Sequence, residues 1–227
     1  MQQLRVESKT APRLIARWKL DEVPSGDLVS ISGVAGRAVE LGRDGFVDVS
    51  DWAEELGQTE AFTISAWVRN PSPGVAILFS LSNGTEADRV QLHLNRGHLV
   101  FGWQTGLHYD AVHAKVGQWE DDRWYHVAAV WRKGVISLFR DGEQLGSSSF
   151  GHKIGTRVPN LASVGRPTQA YFGKLSDSAA GDAVVPQYFG GAIDEVQIYA
   201  KPLQHKNVRY LYEHPGETWD PRLDSEE

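Results

Sequence analysis

Apolar and polar residues alternate along most of this chain with the period of two that is typical of β-strands. The clearest case is Phe62–Arg69, in which residues 62, 64, 66 and 68 are apolar and share one face. Turn signals such as Asn83-Gly84 and Asp141-Gly142 separate these runs, as expected for antiparallel hairpins. The pattern therefore predicts many short strands joined by tight turns.

About a dozen strands are predicted in this way, and one short helix. In chain order the strands are Leu14–Leu20, Arg37–Leu41, Phe46–Val49, Phe62–Arg69, Ile77–Leu81, Val90–Leu94, His98–Trp103, Trp124–Trp131, Val135–Arg140, Glu143–Phe150, Leu161–Gly165 and Ala192–Tyr199. The helix follows Pro202, where Val208, Leu211 and Tyr212 have helical spacing. This order of short strands and turns predicts an all-β fold, an antiparallel sandwich rather than βαβ units.

The same pattern predicts one domain with two polar ends. Residues 1–13 are expected to form an N-terminal tail, residues 14–213 the sandwich, and residues 214–227 a C-terminal tail that frays. Residues 166–187 lack periodicity apart from Tyr171-Phe172, which predicts a long loop. Long loops on rigid scaffolds often carry function.

Composition narrows the function classes. The chain has 227 residues, no cysteine and a formal net charge of −6, so neither disulfides nor a thiolate metal site can form. Lys and Arg are scattered rather than clustered, which argues against nucleic acid as a partner. No apolar run approaches the roughly 20 residues of a membrane span, and residues 1–12 lack the apolar region of a signal peptide.

An ordered series of motifs carries a family resemblance. The series comprises Trp18–Glu22, Gly36–Leu41, Phe62–Val68, Trp124–Ala128, Phe139–Gly142 and Phe189–Tyr199. In this order it resembles the laminin-G-like jelly-roll domains of bacterial surface proteins, within the concanavalin A-like lectin/glucanase superfamily. The resemblance covers roughly residues 14 to 213, and its last motif is the most specific.

The resemblance implies two antiparallel sheets, one concave and one convex, in a jelly-roll sandwich. It implies a non-catalytic recognition or adhesion module that binds carbohydrate or a partner protein through the concave face and rim loops. Such modules are usually part of a larger envelope or surface protein, so a periplasmic, cell-surface or secreted location is expected. No organic cofactor is implied.

The resemblance also suggests a structural calcium ion between the N-terminal strand and the last strand. Asp21 ends the first predicted strand, the Gly45 carbonyl lies in a tight turn, and Asp194 lies on the closing strand. Carboxylate and carbonyl oxygens are the ligands that calcium prefers. The alternative interpretation is that Asp21 and Asp194 cap turns or contact arginines.

Candidate ligand-binding residues lie on or near one strand. Gln91 and His93 are two positions apart, so they share a face, and they line the groove if that face is concave. Aromatic rings near strand ends could stack on a sugar, while His93 and Gln104 could hydrogen-bond to its hydroxyls. The further candidates are Trp103, Gln104, Tyr109 and Trp119, and edge packing is the alternative role for each ring.

Two alternative functions stay open. Certain alginate lyases of this fold use a strand Gln-x-His, so Gln91 and His93 could act with Arg69 and with Tyr109 or Tyr171 on a uronate. The paired carboxylates of glycosidases and the nucleophile turn of serine hydrolases are absent, which favours binding over catalysis. A purely structural domain is the third hypothesis, favoured if residues 166–187 block the concave face.

Overall fold

A computed structural model describes residues 14–22, 28–59, 61–84, 88–105, 108–132, 134–149, 167–175 and 187–220. They form two antiparallel β-sheets and short helices, which confirms the predicted sandwich. The strands are β1 Leu14–Trp18, β2 Val29–Ser32, β3 Arg37–Glu40, β4 Val47–Asp48, β5 Phe62–Arg69, β6 Val75–Ser82, β7 Asp88–Asn95, β8 His98–Thr105, β9 His108–Lys115, β10 Tyr125–Arg132, β11 Val135–Arg140, β12 Glu143–Ser149, β13 Gln169–Phe172 and β14 Ala192–Tyr199. The helices are α1 Ala53–Gly57, which follows a 3-10 turn at Ser50–Trp52, and α2 His205–Glu213.

The strands divide between a larger and a smaller sheet. The larger sheet has the order β12-β11-β10-β5-β14-β3-β2, and β1 also pairs with β14. The smaller sheet has the order β4-β13-β6-β7-β8-β9. Every strand pair is antiparallel, as hairpin connections allow.

The hydrophobic core fills the space between the two sheets because alternate side chains of each strand point inward. Ile64 and Val68 of β5 contribute from the larger sheet, and Leu92 of β7 contributes from the smaller one. Trp18 of β1 packs edge-to-face against Phe172 of β13, with ring centroids 4.8 Å apart. This pair links the two sheets directly.

The outer side of the larger sheet is covered by the C-terminal part of the chain. Val208 and Leu211 of α2 pack with Phe139 and Tyr199 in a second apolar cluster. Trp219 belongs to this cluster and its backbone N–H donates to the Tyr199 hydroxyl at 3.0 Å. Residues 214–220 are therefore part of the packed structure, which corrects the expectation that the chain frays after residue 213.

Three described strands differ from the sequence expectation. Residues 166–187 were expected to form a loop, but Gln169–Phe172 is strand β13, held by pairing with β4 and β6 on either side. Strands β2 and β9 also lack a strong local pattern and depend on their neighbours. The predicted strand Leu161–Gly165 lies outside the described residues. In the described part of the chain, no helix is long and apolar enough to cross a membrane.

Candidate functional site

Strand β7 separates the core from a polar surface. Val90, Leu92 and Leu94 belong to the core, so the alternate residues Gln91 and His93 point to the other side of the smaller sheet. This confirms that Gln91 and His93 share a face away from the core. Both residues lie in the middle of β7, where β6 and β8 pair with it on either side.

Neighbouring strands extend this surface. Gln91 is level with Gly102 of β8, which is level with Ala111 of β9. His93 is level with Val100 and, beyond it, His113. We call the outward side of β7, β8 and β9 the polar face; its side chains include Arg89, Gln91, His93, Gln104, Tyr109 and His113.

Tyr109 is the exposed aromatic ring of the polar face. Its side chain is 49% exposed and lies across Gly102, where a Cβ atom would come within 2.5 Å of the tyrosine hydroxyl oxygen. The Gln91 amide Nε2 donates to the same oxygen at 3.5 Å, a long hydrogen bond. The absent side chain of Gly102 therefore lets the ring lie flat against the sheet and reach Gln91.

Two buried polar side chains of β7 have unused hydrogen-bonding capacity. Gln91 is 7% exposed and His93 is 4% exposed. Within the described residues, Gln91 Oε1 and His93 Nδ1 have no hydrogen-bond partner. A buried polar atom without a partner costs about 1–3 kcal/mol, so a ligand group that reached either atom would recover part of that cost.

Burial sets the protonation states of the polar face. Burial, together with the charges of His113 and Arg89, lowers the pKa of His93 to about 4. Burial also raises the pKa of the Tyr109 hydroxyl. At neutral pH His93 is therefore an uncharged imidazole and Tyr109 is a protonated phenol that can donate a hydrogen bond.

The β6 side of the same sheet surface is partly covered. Leu175 packs with Ile77 and Val75 there, and the Ser80 hydroxyl donates to the Lys174 carbonyl at 2.7 Å. Residues 176–186, part of the segment whose blocking of the groove would favour a purely structural domain, lie outside the described residues. Among the described residues, the covering contacts involve β6 and leave Tyr109 on β9 exposed.

The candidate aromatic residues fall in different places. Trp103 is 1% exposed and belongs to the core, which corrects the expectation that its ring borders the groove. Trp119 packs edge-to-face on Tyr125, with centroids 4.6 Å apart, and so contributes to the edge of the core. Gln104 lies on the polar face, level with Tyr109.

The residues named for a lyase are not brought together as expected. Arg69 extends from β5 on the outer side of the larger sheet, where its guanidinium lies 5.2 Å from the Trp124 ring centroid. Tyr171 faces the same side as Gln91, with Ser80 between them in register. Arg89, which sequence reasoning missed, supplies an arginine on the face; its signal is that it precedes Gln91 by two positions on one strand.

Two of the three calcium candidates, Asp21 and Asp194, lie at the same hairpin and accept backbone N–H groups. Asp194 Oδ2 accepts the Val34 N–H and Oδ1 accepts the Glu195 N–H, each at 2.8 Å. Asp21 Oδ1 accepts the Arg37 N–H at 2.8 Å. Both carboxylates thus hold the β2–β3 hairpin, as the alternative interpretation expects. Within the described residues, no group of three or more His, Cys, Asp or Glu side chains could hold a metal.

Gly45 lies apart from this hairpin and Asp194 has a different role. The Gly45 N–H donates to the Leu41 carbonyl at 2.9 Å in the turn before β4. Asp194 and Glu195 form a bulge in β14, with Glu195 at a φ of 47°, and the bulge divides the edge that pairs with β3 from the edge that pairs with β1. Burial raises the pKa of Asp194 to about 7.

Comparisons with protein families, curated proteins and solved structures all point to laminin-G-like or concanavalin A-like folds. Residues 41–209 match the family model Laminin_G_3, described as concanavalin A-like lectin/glucanases superfamily. A curated relative, adhesion G-protein coupled receptor V1 of Danio rerio, is 25% identical over 168 residues. That match covers 69% of this chain and 2% of the receptor, so the chain spans a small fraction of that relative.

Solved structures with the same fold include carbohydrate-binding modules. The CBM40 module of the Ruminococcus gnavus IT-sialidase bound to alpha2,3 sialyllactose has a TM-score of 0.64 at 16% identity, covering 88% of this chain and 99% of that one. The leech intramolecular trans-sialidase also has a TM-score of 0.64, at 13% identity, over 92% of this chain and 29% of that one. These similarities show the fold.

Proposed function

The chain belongs to the Laminin_G_3 family of the concanavalin A-like lectin/glucanase superfamily, and from this premise we propose that it is a carbohydrate-binding module whose site is the polar face. The observation that carries the proposal is an exposed tyrosine ring that contacts the buried Gln91 side chain, with buried His93 two positions along the same strand. A flat ring can pack against the apolar side of a sugar while amide and imidazole groups bond to its hydroxyls. Tyr109, Gln91 and His93 provide that combination.

The comparisons support a binding module of this fold and leave the ligand to be tested. A laminin-G-type fold is common to recognition modules, and the bacterial module with similar structure was solved bound to alpha2,3 sialyllactose. Shared fold alone does not carry function, so the proposal rests on the residues of this chain. We further propose that the module works in an extracytoplasmic setting as part of a larger protein, which the receptor relative supports.

A polysaccharide lyase is the second candidate function, because the polar face carries the side chains that such an enzyme would need. Arg89, Gln91, His93 and Tyr109 converge on one face, the residue types that such elimination chemistry uses. The base would remove the proton α to a uronate carboxylate, a carbon–carbon double bond would form as the glycosidic carbon–oxygen bond at the next carbon breaks, and the departing sugar oxygen would take up a proton. However, a histidine with a pKa of about 4 is a weak base, and a raised tyrosine pKa disfavours the phenolate. Binding is therefore the better supported function.

A glycan panel with matched variants tests the proposal. The native chain is expected to bind at least one oligosaccharide, and Tyr109→Ala to weaken that binding about tenfold, since loss of a stacked ring corresponds to about 1.4 kcal/mol. Tyr210→Ala, on the α2 side of the molecule, removes an equal ring elsewhere and should leave binding unchanged. Equal loss in both variants, or no binding by the native chain, would overturn the proposal.

The lyase alternative is tested in the same samples. Elimination creates a double bond conjugated with the uronate carboxylate, which absorbs ultraviolet light. Incubating the native chain with polyuronates and following that absorbance should give no increase if the module only binds. An increase that Gln91→Ala and His93→Ala abolish would identify the chain as a lyase.

A further inference from the structure

A small apolar cluster lies beside the polar face, on β6 and outside the main core. Ile77 of β6 is level with His93 and fully buried, and Leu175 and Val75 pack with it. Because Ile77 lies on the outward side of the sheet, this cluster borders the proposed site along β6. The site therefore has an apolar border on this side as well as the Tyr109 ring on the other.

Between these two borders lie the two unpartnered atoms of β7. Gln91 Oε1 and His93 Nδ1 have no hydrogen-bond partner within the described residues, and both side chains are more than nine-tenths buried. Alternate residues of a strand are roughly 7 Å apart along its axis. One ligand group that is long enough can therefore contact both side chains.

The hydrogen-bonding character of these atoms defines that group. Gln91 Oε1 accepts hydrogen bonds, whereas a neutral imidazole donates from the ring nitrogen that carries its proton. His93 is neutral near pH 7, because burial lowers its pKa to about 4. A group that donates at one end and accepts at the other would satisfy both side chains, with the His93 proton on Nδ1.

A trans secondary amide has this form, because its N–H and C=O point in opposite directions. Its N–H can donate to Gln91 Oε1 while its carbonyl accepts from His93 Nδ1. A carboxylate offers only acceptors and an ammonium group only donors, so neither satisfies both atoms. A single hydroxyl donates and accepts at one oxygen, which is too short to bridge alternate positions of a strand.

The substituents of such an amide would extend across the sheet. With its N–H and C=O aligned along β7, one carbon substituent points toward β8 and the other toward β6. On the β8 side, the Tyr109 ring lies over Gly102 and offers a flat surface to a sugar ring. On the β6 side, Leu175 and Ile77 offer an apolar contact to a methyl group. A sugar ring, an amide and a methyl group in this order make an acetamido sugar.

The geometry points to an acetamido sugar as the ligand class, with its ring on Tyr109, its amide between Gln91 and His93, and its methyl group against Leu175. This inference rests on the proposed function and adds the chemical class of its ligand. A sugar that carries only hydroxyls can make the ring contact, but it leaves the apolar border on β6 unused. The acetamido group uses both borders and both unpartnered atoms.

Calorimetric titration with sugars that differ in the acetamido group tests the ligand class. The pairs are N,N′-diacetylchitobiose against cellobiose, and N-acetyllactosamine against lactose. We expect at least one acetylated sugar to bind about tenfold more tightly than its hydroxyl counterpart, because it adds two hydrogen bonds and a methyl contact. The disaccharide of glucosamine, which has ammonium groups instead, should bind no more tightly than cellobiose.

Matched variants assign the preference to particular side chains. Gln91→Leu removes the amide at similar size and should abolish the preference for the acetylated sugar, whereas Gln144→Leu on β12 should keep it. Leu175→Ala shortens the apolar border and should reduce the ratio of the two affinities several-fold. Leu145→Ala, also on β12, is its control. Equal losses in a variant and its control would contradict the assignment to this site.

Saturation-transfer NMR on the native chain makes the test independent of how the variants fold. When the protein is irradiated, the acetyl methyl protons of the bound sugar should receive at least as much saturation as its ring protons do on average. This is expected because the methyl group is held against Leu175 while the ring packs on Tyr109. Methyl protons that receive less than that average would contradict the methyl contact.

The outcomes separate this inference from the proposed function. Equal affinity for acetylated and hydroxyl sugars would overturn the acetamido class and leave carbohydrate binding intact. Binding of another sugar on the glycan panel, with none of these probes bound, would do the same. No binding of any sugar would overturn both.

Discussion

The outer side of the larger sheet is covered by α2 and residues 214–220, whereas no described segment covers Tyr109 on the polar face of the smaller sheet. On the covered side, Gln197 Nε2 donates to the Glu217 carbonyl at 2.8 Å, and Thr63 Oγ1 donates to the Lys201 carbonyl at 2.9 Å. On the polar face, Gln91 Oε1 and His93 Nδ1 lack described partners. Buried atoms without a described partner also occur on the covered side, at His126 Nδ1 and Trp219 Nε1. The two sides therefore differ in access: α2 and residues 214–220 occupy one, and the Tyr109 ring stays exposed on the other.

Two buried histidines make the comparison sharper. His126 lies on the covered side, with its Nε2 2.7 Å from Ser65 Oγ and its ring 6.3 Å from that of Tyr212, near α2. Burial lowers its pKa to about 3, compared with about 4 for His93. Both are neutral at pH 7, but His93 also has Arg89 and His113 as charged neighbours on the polar face.

The largest expected effect comes from truncating the covered side. Trp219→Ala should lower the free energy of unfolding by about 3–5 kcal/mol because it empties a packed position beside Tyr199 and Leu211. Tyr109→Ala is the matched aromatic truncation on the polar face. It should change the free energy of unfolding by about 0.5 kcal/mol or less. Urea unfolding of both variants measures the contrast, and similar losses would contradict the assignment of the two sides.

Acid should destabilise the protein through His126. Its folded pKa of about 3 lies below the ordinary 6.5, so the unfolded state binds more protons between these values and stability falls as pH falls through this window. The contribution is at most about 1.4 kcal/mol per pH unit. Asp194, with a pKa raised to about 7, has the opposite slope between about pH 4 and 7.

Comparing variants separates these contributions. The pH slope of the unfolding free energy between about 6 and 4 should be smaller in His126→Gln than in the native chain. Adding a sugar that binds the polar face should leave the His126 contribution unchanged. A slope that His126→Gln does not reduce would show that the buried imidazole is not the group that titrates.

A smaller effect is expected at Gly102. An added Cβ atom would come within 2.5 Å of the Tyr109 hydroxyl oxygen and 3.0 Å from the ring, at the far end of a movable side chain. Gly102→Ala should therefore shift the ring, weaken sugar binding several-fold, and leave the melting temperature nearly unchanged. Gly146→Ala, where the nearest atom is 3.7 Å away, is the control. Unaltered binding in Gly102→Ala would remove Tyr109 as a contact.

The smallest effect is expected from metal removal. Because Asp194 and Asp21 are engaged by backbone N–H donors of one hairpin, a chelator should not change the melting temperature. A melting temperature that falls with chelator and recovers with calcium would contradict this expectation and support the calcium hypothesis. The same titration with magnesium would show whether the response is specific to calcium.

Much of the fold could be predicted from the sequence because apolar and polar residues alternate along the longer strands, which distinguishes the core-facing side from the outer side. The alternation in Phe62–Arg69 and the Asp141-Gly142 turn give β5 and the β11–β12 hairpin directly. Strand β13, by contrast, is four residues long and depends on pairing with β4 and β6, which local pattern does not reveal. Trp219 was missed because one aromatic in a polar tail carries no periodic signal.

The candidate site also contains residues that spacing along one strand predicts and residues whose positions depend on pairing between strands. Period-two spacing places Gln91 and His93 on one face, and the same spacing would have added Arg89. The position of Trp103 in the core follows from its pairing with Val90 across the β7–β8 hairpin, and that register is visible only in the folded sheet. The proximity of Tyr109 to Gln91 depends on Gly102, a contact between three strands.

The most direct test of the central claim is two-dimensional amide NMR during titration with a sugar that binds. Carbohydrate binding at the polar face predicts chemical-shift changes centred on Gln91, His93, Gly102 and Tyr109, with the α2 side unchanged. These residues form one continuous patch across β7, β8 and β9. Changes centred on α2 and residues 214–220 instead, with the polar face silent, would contradict the account.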